Sequence, residues 1–247
     1  MIDANCHLQF DALWEQRDAI WSRAQQAGVT QAVVSSDVLT PERLVRLRHL
    51  YSDGRIVAAG WHPLFPRPLT ALATLEKALL AQPTWGLGEV GIDTRHQPLA
   101  GQPEFLDHQM SFAAGRFCIL HAVGPGSLDA CYQIARAHHL RGMVHAFSGS
   151  VQQAKQWCDL GWYLSIGGPI TRAHAPRLRE WVAQIPAQHL LLESDAPDLP
   201  PQDWPGVSEP ACLVQIAQAV AEIRGISLEQ AQQMSRQNAL DWLKLSA

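Results

Sequence analysis

The sequence predicts an α/β fold, a (β/α)8 TIM barrel built as a single domain over residues 1–247. Two observations predict it. The chain is 247 residues long, which suits one large α/β barrel. Eight short apolar runs alternate with helix-length amphipathic segments from one end to the other. A doubly wound open sheet is the other arrangement that the same alternation allows. With 47% hydrophobic residues, the chain can bury a sizeable core and is excluded from the disordered class.

The expected strands are 1–4, 31–36, 55–60, 84–90, 117–120, 142–147, 162–167 and 189–194. Most are continuous apolar runs and not strict alternations, as befits strands covered on both faces of a parallel sheet. Before the second strand, Leu13, Ile20, Ala24 and Ala27 share a helical face, and Gly28 is placed to end that helix. Thr40 and Pro41 form an N-cap with proline at the first helical position, followed by Leu44 and Leu47 facing inward. Asp53-Gly54 and Gly124-Pro125-Gly126 mark turns. Ser150 with Gln153, and Ser227 with Gln230, have capping-box spacing. The stretch 208–245 reads as two helices, the last closing the domain. The segment from Ala196 to Pro210 holds five prolines and is expected to be a substrate-facing loop after the eighth strand.

The net charge of −4 gives no global positive field for a nucleic-acid partner, although a metal site can supply positive charge locally. Five scattered cysteines without a CxxC pair read as reduced thiols. The opening MIDANCHLQF has no basic stretch before an apolar run, so no secretory leader is expected. No run approaches about 18 apolar residues, so no membrane span is expected. A cytoplasmic protein with no obligate protein partner follows as the expectation.

The informative polar residues fall at strand ends. Asn5 and His7 follow the first expected strand, His62 the third and Glu89 the fourth; His121 follows the fifth, His145 lies on the sixth and Asp195 follows the eighth. In a barrel those ends converge on one mouth. Imidazole and carboxylate are the donors that hydrolytic metal sites use. Taken singly, each histidine is more often structural, and His49, His138, His139, His174 and His189 are read that way. His96 and His108 are ambiguous. Asp93 reads equally as a loop carboxylate that positions backbone and as a partner of a ligand. Trp61 and Trp204 sit in loops near the expected mouth, where they would either stack on a base or cover the core.

The blocks IDANCHL (2–8), GWHP (60–63), GEVGID (88–93), QPEFLDHQ (102–109), His121, VHAFSGS (144–150) and LLESDAP (191–197) resemble, in order, the motifs of the TatD-type metal-dependent deoxyribonucleases. The resemblance runs from residue 2 to Asn238-Ala239. It implies a TIM-barrel hydrolase related to the amidohydrolases, using one or two divalent ions, with Mg²⁺, Mn²⁺ and Zn²⁺ undistinguished. It implies that Glu89 bridges two ions, with His121 and His145 on one, and His7, its HxH partner and Asp195 on the other. It further implies Asp195 as general base, His62 beside the substrate phosphate and single-stranded DNA as substrate.

The chain departs from the family pattern in four places. Asn5 stands where the first histidine of HxH belongs, replacing an imidazole by a weaker amide donor. Val123 occupies the position two residues after His121 where the family has arginine, the helix before His121 is short, and Ser194 stands for threonine. These departures leave open a related hydrolase acting on a small ester, lactone or amide, and a non-catalytic barrel with a residual metal site. They also define a test. Residues 5 and 7 of a strand face the same side. Asn5→His is therefore expected to raise both metal affinity and the hydrolysis of single-stranded DNA, followed by metal titration alongside the melting temperature. A variant that folds, binds metal more tightly and cuts nothing would argue against the nuclease.

Overall fold

Burial on both faces, more than alternation, governs the strands. The computed structural model describes residues 1–37, 39–65, 67–95, 98 and 100–245. Its strands are β1 (Ile2–Cys6), β2 (Gln31–Ser35), β3 (Ile56–Ala59), β4 (Gly86–Asp93), β5 (Phe117–Val123), β6 (Arg141–Val144), β7 (Tyr163–Ile166) and β8 (Leu190–Leu192). Every residue of β1, β4 and β8 is buried, so an apolar run needs no polar alternate positions. The strands form one sheet in the order β1 to β8, the order of a (β/α)8 barrel. The pairs β3–β4, β4–β5, β5–β6 and β7–β8 are parallel.

The helices are α1 (Asp11–Trp14), α2 (Arg17–Gln26), α3 (Pro41–Ser52), α4 (Leu72–Ala81), α5 (Gln102–Ser111), α6 (Ser127–Ala135), α7 (Val151–Asp159), α8 (Pro176–Gln184), α9 (Leu213–Arg224) and α10 (Leu228–Leu243). Thr40 caps α3 by accepting from the Arg43 N–H, and both capping boxes form, at Ser150 and Ser227. One expectation fails locally. The single helix expected before β2 is broken into α1 and α2, with Gln16 outside helical geometry at the break. There the Arg17 side chain bonds the Trp14 carbonyl, satisfying a helix-end acceptor. Ala27 and Leu44, expected inward, are half-buried.

The chain divides into two compact units, Met1–Val33 with Ala146–Ala247, and Val34–His145. In the first, the chain after β8 is tied back to β1. The Asp195 N–H donates to the Asn5 carbonyl at 3.0 Å, and the His7 N–H to the Ala196 carbonyl at 2.7 Å. In the second, β4 and β5 run side by side with Gly91 opposite His121 and Asp93 opposite Val123. Trp157, Trp162, Trp181 and Trp242 of the first unit and Trp85 of the second are fully buried, so most tryptophans build core.

Strand ends differ from expectation by a few residues, which moves several site residues onto strands. Asn5 comes to lie within β1 and His121 within β5, Glu89 stays inside its strand as β4 lengthens to Asp93, and His145 directly follows β6. Among the described residues no single helix is long and apolar enough to cross a membrane. Two segments, Pro210–Arg224 and Leu228–Leu243, pass only as a pair bent by 107°. Both helices there, α9 and α10, bury apolar residues within this fold.

Gly91 has φ +155° and a Cβ added to it would collide with the His121 carbonyl oxygen. Gly161, at φ +82°, has open space around it. Gly91→Ala combines strain of about 1–3 kcal/mol with overpacking of about 1–3 kcal/mol. It is expected to lower unfolding free energy in urea by several times the loss from Gly161→Ala. Equal losses would show that β4 and β5 tolerate separation at this point.

Candidate metal centre

The second unit gathers four of the expected site residues. Glu89, on β4, is 2% exposed. Its Oε2 lies 3.1 Å from His62 Nε2 and 3.9 Å from His121 Nδ1, and its Oε1 lies 3.2 Å from His145 Nε2. One donor atom each from His62, Glu89 and His121 falls within 4.8 Å of the others, and all three residues are buried. The His121 and His145 rings stack at 5.4 Å. Nitrogen and oxygen donors in this number and closeness fit a divalent ion of the Mg²⁺, Mn²⁺ or Zn²⁺ kind.

Proton positions follow from the surrounding donors. The Leu64 N–H donates to His62 Nδ1 at 3.1 Å, so the His62 proton sits on Nε2, aimed at Glu89 and at His121 Nδ1, 3.1 Å away. His62 is thus arranged as a donor. His121 Nε2–H donates to Asp93 Oδ2 at 3.0 Å, leaving Nδ1 with its lone pair. Burial pushes the His121 pKa down to about 4, against the opposing pull of Asp93, so the ring is neutral at pH 7 and fit to bind metal. At Asp93 burial acts upward, but hydrogen bonds from His121 and Arg95 prevail and hold the carboxyl well below the usual range.

The first unit gathers Asn5, His7 and Asp195. Asn5 Nδ2 donates to Asp195 Oδ1 at 3.4 Å, and His7 Nε2 lies 3.5 Å from the same oxygen. His7 stacks on Phe10 at 4.7 Å. Asp195 has φ +51°, a left-handed conformation unusual for a residue with a side chain, and the kind of strain that clusters at functional sites. Beneath it, Ser194 gives its N–H and its hydroxyl to the two Asp3 oxygens, at 2.9 and 2.5 Å.

The family model "TatD related DNase" matches residues 2–244. The chain belongs to the TatD family. It is a metal-dependent hydrolase of that family. It is 32% identical over 240 residues to the metal-dependent hydrolase YjjV of Escherichia coli (strain K12), covering 90% of each chain. It superposes on the crystal structure of that TatD homologue with TM-score 0.90 and 29% identity, covering 100% of this chain and 98% of the other. A second relative, 28% identical with 93% and 94% covered, is the 3'-5' ssDNA/RNA exonuclease TatD of Pantoea ananatis (strain LMG 20103).

Within this TatD-family chain the other expected site residues divide. Trp61 is 7% exposed, and its indole N–H bonds the Ala71 carbonyl, so it covers core and offers no open ring to a base. Trp204 is half-buried and bonds the Val207 carbonyl. His96 lies outside the described residues. His108 bonds its own helix at Glu104. Sequence reasoning gave no role to Asp3 and Arg95. Only their short spacing from Asn5 and Asp93 pointed to them.

Burial pushes Asp3 up to about 7, more than the Ser194 hydrogen bonds lower it. Its folded pKa is therefore above its ordinary 3.8, and the stability it contributes is complete below that value and lost as pH rises through about 7. In chelator, wild-type unfolding free energy is expected to fall between pH 4 and 8, by at most about 4 kcal/mol from this group. Asp3→Asn should flatten that slope. An unchanged slope would mean that Asp3 is ionised throughout.

Proposed function

We propose that the chain is a phosphodiesterase that trims the ends of single-stranded DNA. The observation that carries this reading is the buried set of Glu89, His121 and His145 with the His62 N–H aimed into it. Glu89, His121 and His145 are the proposed ligands of one ion, and Asn5, His7 and Asp195 a second ligand set. A divalent ion bound there supplies Lewis-acid polarisation and an activated water. Asp195 takes up the proton released during attack, its carboxylate oriented by Asn5 and His7. His62 gives its Nε2–H to a phosphoryl oxygen, and the Leu64 N–H keeps that proton in place.

Beside His62 opens a cleft of about 320 Å³ whose walls include Phe65, Arg67, Leu69, Gln102, Glu104 and Phe105. Phe65 is 41% exposed and offers a ring for stacking. Arg67 supplies a cation to the phosphate, which Val123 cannot do at the family's arginine position. The similarity to a relative named as a single-strand exonuclease supports this choice. The cleft walls are mainly apolar and carry the carboxylate of Glu104, which favours a second reading, a small ester, lactone or amide.

End-labelled single- and double-stranded oligonucleotides incubated with Mg²⁺, Mn²⁺ or Zn²⁺ separate the two readings. Stepwise shortening of the single strand, weakened by salt, is expected. Cleavage of small esters without shortening of DNA would favour the second reading. Glu89→Gln removes the charged donor of the set and is expected to lower the rate by more than His62→Ala, which should lose about 10²–10³. Wild-type rates from Glu89→Gln on every substrate would place the chain outside catalysis.

A further inference from the structure

We infer that Asp93, clamped by Arg95, is a positioning residue that fixes His121 as its Nε2–H tautomer and so presents Nδ1 as the donor atom; this rests on the proposed ligand set of Glu89, His121 and His145. A neutral imidazole has two tautomers, and only the nitrogen without the proton can bind an ion. A buried ring with no fixed partner divides between them, leaving the wrong nitrogen bare for part of the time.

The surroundings of Asp93 remove that freedom. Asp93 ends β4 with no exposed surface, and its Oδ2 receives His121 Nε2–H at 3.0 Å. Arg95 grips both carboxylate oxygens: Nη2 donates to Oδ2 at 2.6 Å, Nε lies 3.2 Å from each oxygen, and the Arg95 backbone N–H donates to Oδ1 at 2.9 Å. The carboxylate therefore cannot rotate without losing a fork of charge-assisted bonds. Gln102, opening α5, pins the Asp93 backbone from both sides, accepting from its N–H at 2.8 Å and donating to its carbonyl at 3.0 Å. On the other face of the ring, His121 Nδ1 meets His62 Nε2–H, whose proton is set by the Leu64 N–H. Donors thus run one way, from Leu64 through His62 and His121 to Asp93. A carboxylate behind a ligating imidazole also raises its basicity, and loss of such partners typically reduces metal affinity about 10–100-fold.

The test uses the full chain labelled with ¹⁵N-histidine, long-range ¹H–¹⁵N spectra and Zn²⁺ calorimetry. In the wild type, His121 is expected to show a bare Nδ1 and a protonated Nε2. Asp93→Ala should populate both tautomers and weaken Zn²⁺ binding about 10–100-fold. Asp93→Asn, which keeps an acceptor oxygen, should restore part of each, and Arg95→Gln should shift both in the same direction by less. A folded Asp93→Ala with His121 wholly in the Nε2–H form and wild-type Zn²⁺ affinity would overturn the inference. If Asp93→Ala does not fold, Arg95→Gln decides: its side chain is 47% exposed on the turn after β4. An unchanged tautomer and affinity there would equally overturn it. If the wild type binds no Zn²⁺, the ligand set fails, yet the tautomer spectra still decide the role of Asp93.

Discussion

A carboxylate buried beside three imidazoles is the constraint on which the second unit depends. Glu89 has almost no contact with solvent, and an ionised carboxylate in that position is strongly unfavourable unless its oxygens are engaged. Both oxygens are: His62 faces one and His145 the other. Three imidazoles packed so closely must in turn share protons in an orderly way. The order is imposed from outside the cluster, by a backbone N–H at Leu64 and a carboxylate at Asp93. A site arranged in this manner is preorganised, with its lone pairs and protons already directed.

The backbone of β4 makes that arrangement sterically possible. Gly91 sits opposite His121, where any side chain would strike the His121 carbonyl. Close approach of the two strands sets Glu89 and Asp93 around the same imidazole, one carboxylate toward each nitrogen. The GEVGID block is therefore one physical unit: glycine for approach, Glu89 toward the cluster and Asp93 behind it. In the first unit, Asp3 and Ser194 play a comparable supporting part. The Ser194 hydroxyl and N–H hold Asp3, and the next residue, Asp195, is turned into a left-handed conformation toward His7 and Asn5.

Membership of the TatD family fixes the fold and the class of chemistry, metal-dependent hydrolysis. Asn5 is a hydrogen-bond partner of Asp195. Arg67 borders the cleft beside His62. The candidate ligands stand on or next to strands, whereas most of the cleft lining comes from connecting segments, the arrangement by which a common barrel carries different functions on its loops.

The sequence by itself determined the eight strands, the caps at Thr40, Ser150 and Ser227, and the residue types of both groups of candidate ligands. Those features are local: an apolar run, a hydroxyl three residues before its N–H partner, an imidazole or carboxylate near a strand end. Tertiary structure alone decided the remainder. The break between α1 and α2, the burial of Trp61 and the exact ends of β1, β4 and β5 depend on neighbours distant in the chain. So do the tautomers, because a proton's place on His62 or His121 is set by what lies 3 Å from each nitrogen. Asp93 shows the division most plainly. Its sequence context allowed a loop carboxylate or a ligand's partner, and only the approach of β5 placed His121 against it.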